Sequence, residues 1–178
     1  IATTIEAHLD ARRRQIIDAA RARFATHGFA RTSMAELVDA SGLSVGAIYR
    51  YFTSKDEIIA AICGQSSQAL SAELTPATIG DFLDHIRGLA KKQDHARLVA
   101  QIYAEAAVSP PLAELVQCQL ADLRRAVAAL LPQDDQARAD QIAEVFIALC
   151  RGYTQQLAVR GDLDPAPYTR ALEAIINA

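Results

Sequence analysis

Apolar residues return every three or four positions along almost the whole chain, and β-branched runs are absent, so the pattern predicts an all-α protein of about nine helices. The first is expected over residues 10–27, with Ile16, Ile17, Ala20 and Phe24 on one stripe and Gly28 at its end. Ser33 followed three residues later by Glu36 makes a capping box, so a second helix starts there, and Met34, Leu37 and Val38 give it one apolar face. Gly42 stops it. Ser44 then caps a short third helix, SVGAIYRYF, whose Ile48 turns back to the core.

A fourth helix is expected from Lys55 towards Glu73, with no Gly/Ser linker between the two halves of the chain. Pro76 breaks the pattern, and Thr78 caps a fifth helix carrying Ile79, Phe82, Leu83, Ile86 and Leu89. Asp94 opens a sixth with Leu98, Val99 and Ile102, and Ser109-Pro110-Pro111 starts a seventh that Pro132 stops. The eighth spans residues 136–160 and ends at Gly161; Asp164-Pro165 starts a short ninth with Tyr168, Leu172, Ile175 and Ile176. These elements divide into an N-terminal helix-turn-helix domain, 1–54, with its motif at 33–52, and a C-terminal helical domain, 55–178.

Composition narrows the class. With 178 residues, 51% of them hydrophobic, the chain can bury a core without disulfides or structural metal. Cys63, Cys118 and Cys150 are odd in number and far apart, which suggests free thiols rather than a disulfide framework or a zinc site. No apolar stretch approaches bilayer length and the start of the chain lacks the apolar core of a signal peptide, so a cytoplasmic protein without a membrane partner is expected. A net charge of −3 argues against a polyanion partner until its distribution is considered. Residues 10–60 hold eight Lys/Arg against six acids, a mildly basic head on an acidic body.

The stretch SMAELVDASGLSVGAIYRYFTSK, 33–55, carries the chemistry. Val38, Gly42 and Ile48 are spaced as two short helices need in order to cross around a tight turn, although that spacing also suits an ordinary helical corner. The third helix is what favours DNA. Val45, Gly46 and Ala47 are small enough to bring its start close to base edges, and Tyr49, Arg50 and Tyr51 can hydrogen-bond phosphates or bases.

Thr32-Ser33, Leu37-Val38, Gly42-Leu43-Ser44, Gly46, Tyr49, Tyr51-Phe52, Lys55 and Ile58 together resemble the signature of the TetR family of transcriptional regulators. The first helix and its exit, RRRQIIDAARARFATHGFARTS, are similar to that family as well. The close likeness covers the first third of the chain, and the remainder matches in helix number and order. Val38 and Ser41 depart from the family pattern at positions where alanine is usual.

The resemblance implies a ligand-responsive regulator, most simply a repressor, that binds palindromic double-stranded operator DNA as a homodimer and leaves it when a small-molecule effector binds. Position by position, Thr32 and Ser33 would donate to a phosphate, and Ser44, Val45, Gly46 and Ala47 would meet base edges or nearby backbone. Tyr49 and Tyr51 would touch phosphate or a thymine methyl, and Lys55 would bind phosphate at the positive end of the fourth helix. Arg50 would read guanine or clamp phosphate. Arg12, Arg13 and Arg14 read either as a backbone-tracking arm or as a solvated helix face.

The eighth helix, through IAEVFIALC and Gly152, is apolar on more than one face. A homodimer through helices eight and nine, around Phe146, Leu149 and Gly152, follows from that and from the resemblance; a monomer with a central helix is the other reading. His85, Tyr103, Glu105, Gln119 and Tyr153 are polar residues on apolar stripes. Each reads singly as a satisfied core group, and as a set they are candidates to line an effector pocket for a largely apolar molecule.

No enzyme motif is present. The chain has no Gly-rich phosphate loop, no G-x-S-x-G, and no glutamate followed by histidine three positions on, so no enzymatic activity, cofactor or catalytic residue is expected. Two alternatives remain at this level: a cysteine-based redox or metal-sensing regulator, and a helical dimer that does not bind DNA.

Overall fold

The computed structural model describes residues 2–73, 82–93, 95–131 and 135–176. Nine helices and no strand occur among them, in two compact units, Ile1–Cys63 and Gly64–Ala178. No helix among the described residues is long and apolar enough to cross a membrane.

The first unit contains α1 (Ala2–His27), α2 (Met34–Ser41), α3 (Val45–Tyr51) and the start of α4 (Lys55–Glu73). Its core is the stripe read from the sequence: Ile16, Ile17, Ala20 and Phe24 of α1 are buried, as are Leu37, Ile48 and Phe52. Phe24 and Phe29 meet edge to face with centroids 4.6 Å apart, which fixes the chain as it leaves α1. The Gln15 amide donates to the Ser41 carbonyl at 2.7 Å, tying α1 to the last turn of α2.

Two boundaries differ from the expectation. α1 begins at Ala2, eight residues before the expected start at residue 10, because a segment without Gly or Pro needs no burial signal to continue a helix already nucleated. Arg12, Arg13 and Arg14 therefore lie inside a helix and form no extended arm. Arg12 donates to the Gln15 side chain at 3.0 Å, and the Arg13 guanidinium stands 5.2 Å from the Phe52 ring. The unit also runs to Cys63 rather than 54, since Ile58, Ile59 and Ile62 of α4 are buried.

The second unit is built on α8 (Gln136–Arg160), against which α5 (Phe82–Gln93), α6 (His95–Ala106), α7 (Pro110–Ala128) and α9 (Ala166–Ile176) pack. Asp135 caps α8 by accepting from the Arg138 amide at 3.0 Å, and Pro110 occupies the first turn of α7, where a missing N–H costs nothing. The expected break at Pro76, cap at Thr78, Ile79, opening Asp94 and stop at Pro132 lie outside the described residues.

The core of this unit corrects one dimer residue. Phe146 is 1% exposed, its ring 5.5 Å from that of Phe82, with Ile86, Val127 and Ile147 in the same buried cluster. It faces its own bundle and is not available to a partner. Leu149 is half-buried at the margin, and Gly152 is exposed with nothing within 4 Å of where a Cβ would stand. The outward line of α8 is Gln141, Val145, Ala148, Gly152, Gln155 and Val159, all exposed and alternating at spacings of four and three.

Candidate nucleic-acid interface

Caps set the geometry of the α2–α3 corner. Ser33 has extended φ/ψ of −91° and 161° and accepts from the Glu36 amide at 3.3 Å, while the Glu36 carboxylate accepts from the Ser33 amide at 2.8 Å and its hydroxyl at 3.0 Å. Arg23 of α1 adds a 2.6 Å ion pair to the same carboxylate. The Ser33 backbone N–H, then the Arg23 guanidinium and the Ser33 hydroxyl, lower the Glu36 carboxyl to about 2. The box is thus anchored to α1 as well as closed on itself.

Gly42 ends α2 in the left-handed region at φ 66°, where a Cβ would meet no neighbour, so glycine is required there by backbone conformation alone. Ser44 then caps α3, accepting from the Ala47 amide at 3.3 Å. The Ser41 departure from the family pattern is absorbed locally: its buried hydroxyl donates to the Val38 carbonyl at 2.9 Å and accepts from the Leu43 amide at 3.3 Å.

α3 has two sharply different sides. Ile48, with Phe52 just beyond the helix, is buried, whereas Val45 is 58% and Tyr49 47% exposed and Gly46 and Arg50 are open to solvent. Ala47 and Tyr51 are half-buried at the flanks. The Arg50 guanidinium makes no ion pair or hydrogen bond among the described residues. Positions 45, 46, 49 and 50 thus share one face on which an apolar side chain, a bare backbone, a phenol and a guanidinium stand together.

The remaining sequence candidates are less free. Thr32 is corrected: it is 2% exposed and its hydroxyl donates to the Gly28 carbonyl at 2.8 Å, which makes it an anchor of the α1 exit rather than a phosphate donor. The Ser33 hydroxyl is exposed but engaged in the capping box. Lys55 donates to the Phe29 carbonyl at 2.7 Å, leaving two of its three ammonium protons for another acceptor. Asp56 and Glu57 occupy the first turn of α4, and the Glu57 carboxylate accepts from the Thr53 amide and hydroxyl, both at 2.7 Å. Those two bonds, backbone first, lower the Glu57 carboxyl and consume part of the positive helix end. Ser54 accepts from the Glu57 amide at 3.2 Å, and Ser54-Lys55-Asp56-Glu57 has the S-x-x-E spacing of α2, but the Glu57 carboxylate returns to Thr53 rather than to the Ser54 amide, so only half of a capping box forms.

In the second unit the five polar candidates sit on four helices. Tyr153 takes the satisfied-core form that each candidate singly allows: it is 0% exposed, its hydroxyl donates to the Leu163 carbonyl at 2.8 Å, and burial pushes its phenol up to about 12. It pins α8 to the segment before α9. His85 is half-buried beside Phe82, with ring centroids 6.5 Å apart, and Glu105 and Gln119 are half-buried. Tyr103 carries the Arg151 guanidinium 3.5 Å above its ring centroid. Glu105, two residues further along α6, is turned about 200° from it and shares no face with it. Burial pushes the Cys63 thiol up to about 11 and the Cys150 thiol up to about 12, whereas Cys118 is exposed on α7.

The fold and its corner define a DNA-binding regulator class, and the comparisons agree. Residues 16–62 match the family described as bacterial regulatory proteins, tetR family, and residues 67–178 match the C-terminal domain described for BetI-type transcriptional repressors. The chain belongs to the TetR family of bacterial transcriptional regulators. It is 40% identical over 67 residues to the HTH-type transcriptional repressor Rv1474c of Mycobacterium tuberculosis, covering 38% of this chain and 36% of that protein. To the HTH-type transcriptional regulator TtgR of Pseudomonas putida it is 42% identical over 50 residues, 28% of this chain and 24% of that protein. The match thus spans about a third or less of the length of these curated relatives. Salmonella enterica GusR shares the fold, with a TM-score of 0.78 over 94% of this chain and 96% of that one, at 21% identity.

Proposed function

We propose that the chain binds palindromic operator DNA as a homodimer, represses transcription there, and is released by a small-molecule effector. The observation that carries the reading is the outward face of α3, where Val45 and Tyr49 stand in solvent beside an uncommitted Arg50. What distinguishes this patch is the combination on one helix face of an apolar side chain, a bare backbone, a phenol and a free guanidinium, the mixture that base edges and phosphates require. Val45, Gly46 and Ala47 approach base edges; Tyr49, Tyr51 and Lys55 hold phosphates; Arg50 reads guanine or clamps phosphate. Ser33 and Ser44 flank them at the two helix starts.

The homodimer is supported by the exposed α8 line, whose alternating four and three spacing is that of a helix-packing seam and whose Gly152 allows close approach. Two copies then offer two equivalent third helices, with half-sites about 34–36 Å apart. The cysteine-sensor alternative has less support: Cys63 and Cys150 are buried, which disfavours their thiolates, Cys118 is exposed on α7, and among the described residues no three His, Cys, Asp or Glu side chains gather to hold a metal.

Selection of duplexes from a random-sequence pool, followed by gel shift, tests the reading. Enrichment of a two-fold symmetric site bound by two copies is expected; no enrichment, or an asymmetric site bound by one copy, ends it. For any effector, linkage requires that it weaken operator binding by the same factor by which operator weakens its own binding.

A further inference from the structure

Two half-buried arginines of the protein are matched by carboxylates: Arg23 pairs with Glu36 at 2.6 Å, and Arg87 grips Asp162 through two bonds of 2.7 and 3.0 Å. Arg151 does not. It lies on α8 between buried Ile147 and buried Thr154, is itself half-buried, and has its guanidinium carbon 3.5 Å from the centroid of the Tyr103 ring on α6. Among the described residues no carboxylate, hydroxyl or carbonyl engages its five N–H groups.

A guanidinium in this setting is poised for an anion. Partial burial removes water from the charge without supplying the hydrogen bonds that normally offset the loss, so an incoming acceptor recovers that cost. With its central carbon over the ring face, the guanidinium is held at Tyr103 by a cation–π contact that uses none of its N–H groups, and those N–H groups form the fork that matches both oxygens of a planar carboxylate. One turn to either side of Tyr103 on α6 stand Val99 and Ala106, and Ile147 precedes Arg151 on α8; Thr154, one turn beyond, spends its hydroxyl on the Cys150 carbonyl at 2.8 Å, so the lining is apolar on the α6 side and mixed along α8.

We propose that Arg151, held flat by Tyr103, is the anion-recognising group of a small-molecule site where α6 meets α8, and that the effector carries a carboxylate on an otherwise apolar body. The proposal rests on the effector-release reading for the word effector, and on the Arg151–Tyr103 geometry for the site. It assigns Arg151 a binding role that its place on a core-facing helix did not suggest.

The test titrates the full chain with benzoate and with its neutral counterpart benzamide, by calorimetry at neutral pH. Benzoate should bind more tightly, and Arg151→Gln should weaken benzoate by about tenfold or more while leaving benzamide unchanged. Arg151→Lys should restore only part, since it keeps the charge and loses the fork, and Tyr103→Phe should retain benzoate binding because the ring face is preserved. Thermal melts of each variant separate loss of binding from loss of fold. Equal affinity for the two probes, no benzoate binding at any soluble concentration, or benzoate binding indifferent to Arg151→Gln overturns the site. A second arm adds a duplex selected as above. If benzoate binds through Arg151 and leaves the affinity for that duplex unchanged, the effector assignment is overturned. If the chain selects no duplex, the regulator reading fails and the benzoate selectivity alone decides the site.

Discussion

The two units keep their shape by hydrogen bonds of different reach. In the first, the decisive polar bonds are local: Ser33 with Glu36, Ser44 with Ala47 and Thr53 with Glu57 each close within four residues. Its longer ties are Gln15 to the Ser41 carbonyl, Lys55 to the Phe29 carbonyl and Arg23 to the Glu36 carboxylate, none spanning more than 26 residues. In the second unit, Arg87 and Asp162 meet across 75 residues and Tyr103 and Arg151 meet from separate helices. A head assembled from short-range caps can hold a recognition helix in one geometry, whereas a bundle held by side-chain packing can exchange one packing for another when a ligand enters.

The largest expected effect distinguishes the two faces of α8. Phe146→Ala should cost about 3–5 kcal/mol and show in urea unfolding, because it empties a packed core position. Val159 is 83% exposed, so Val159→Glu should leave the unfolding midpoint nearly unchanged and act on self-association, read by sedimentation. A Val159→Glu protein as unstable as Phe146→Ala would mean that the outward line of α8 is miscast.

Next come the head residues. Arg50→Ala and Tyr49→Ala should each weaken a selected duplex, Tyr49→Ala uniformly across sequences and Arg50→Ala with relaxed preference at one base pair if it reads guanine. Lys55→Ala separates two roles. A phosphate contact predicts that the slope of log affinity against log salt falls by roughly one, whereas the Phe29 carbonyl bond predicts a loss of about 1.5–3 kcal/mol of head stability with the slope intact.

A smaller effect is expected at the long-range pair of the second unit. Asp162 is held ionised by Arg87 first and Lys91 second, but it is half-exposed, so Asp162→Asn should lower the melting temperature slightly in low salt and less in high salt. Melting curves at two ionic strengths check this, and a loss that persists undiminished in high salt would contradict the exposed-pair account.

The same contrast explains what could be read in advance. The helix count, the α2–α3 corner and the inward Ile48 and Phe52 follow from periodicity, capping signatures and Gly42, all of which act within a few residues. The outward side of α3 was legible for that reason. Thr32 was misjudged because whether a hydroxyl is spent on a carbonyl four residues back depends on the exact path out of α1. The inward side of Phe146 is not legible because α8 is apolar over much of its circumference, and composition alone does not say which arc faces its own bundle. The Arg151–Tyr103 stack joins residues with no sequence relation, so no spacing rule reaches it.

The smallest effect concerns pH and returns the comparison to the head. Glu36 has its folded carboxyl lowered from 4.5 to about 2, chiefly by the Ser33 backbone N–H. Between those values the unfolded chain binds the proton and the folded chain does not, so stability rises with pH across this window. The contribution is fully present above about 4.5 and is lost as pH falls through about 2. Glu36→Gln removes the titrating group while keeping an acceptor for the capping box, so the difference in unfolding midpoint between wild type and variant should be constant above pH 4.5 and shrink steadily below it. Because the carboxylate is solvent-facing, the change should be modest and reduced by salt. Ser33→Ala, which removes the hydroxyl half of the box, should cost about 1 kcal/mol while keeping most of the acid dependence, because the backbone N–H that does most to lower Glu36 survives the substitution. A Ser33→Ala protein whose acid limb is as flat as that of Glu36→Gln would show that the hydroxyl, and not the backbone, holds the carboxylate ionised.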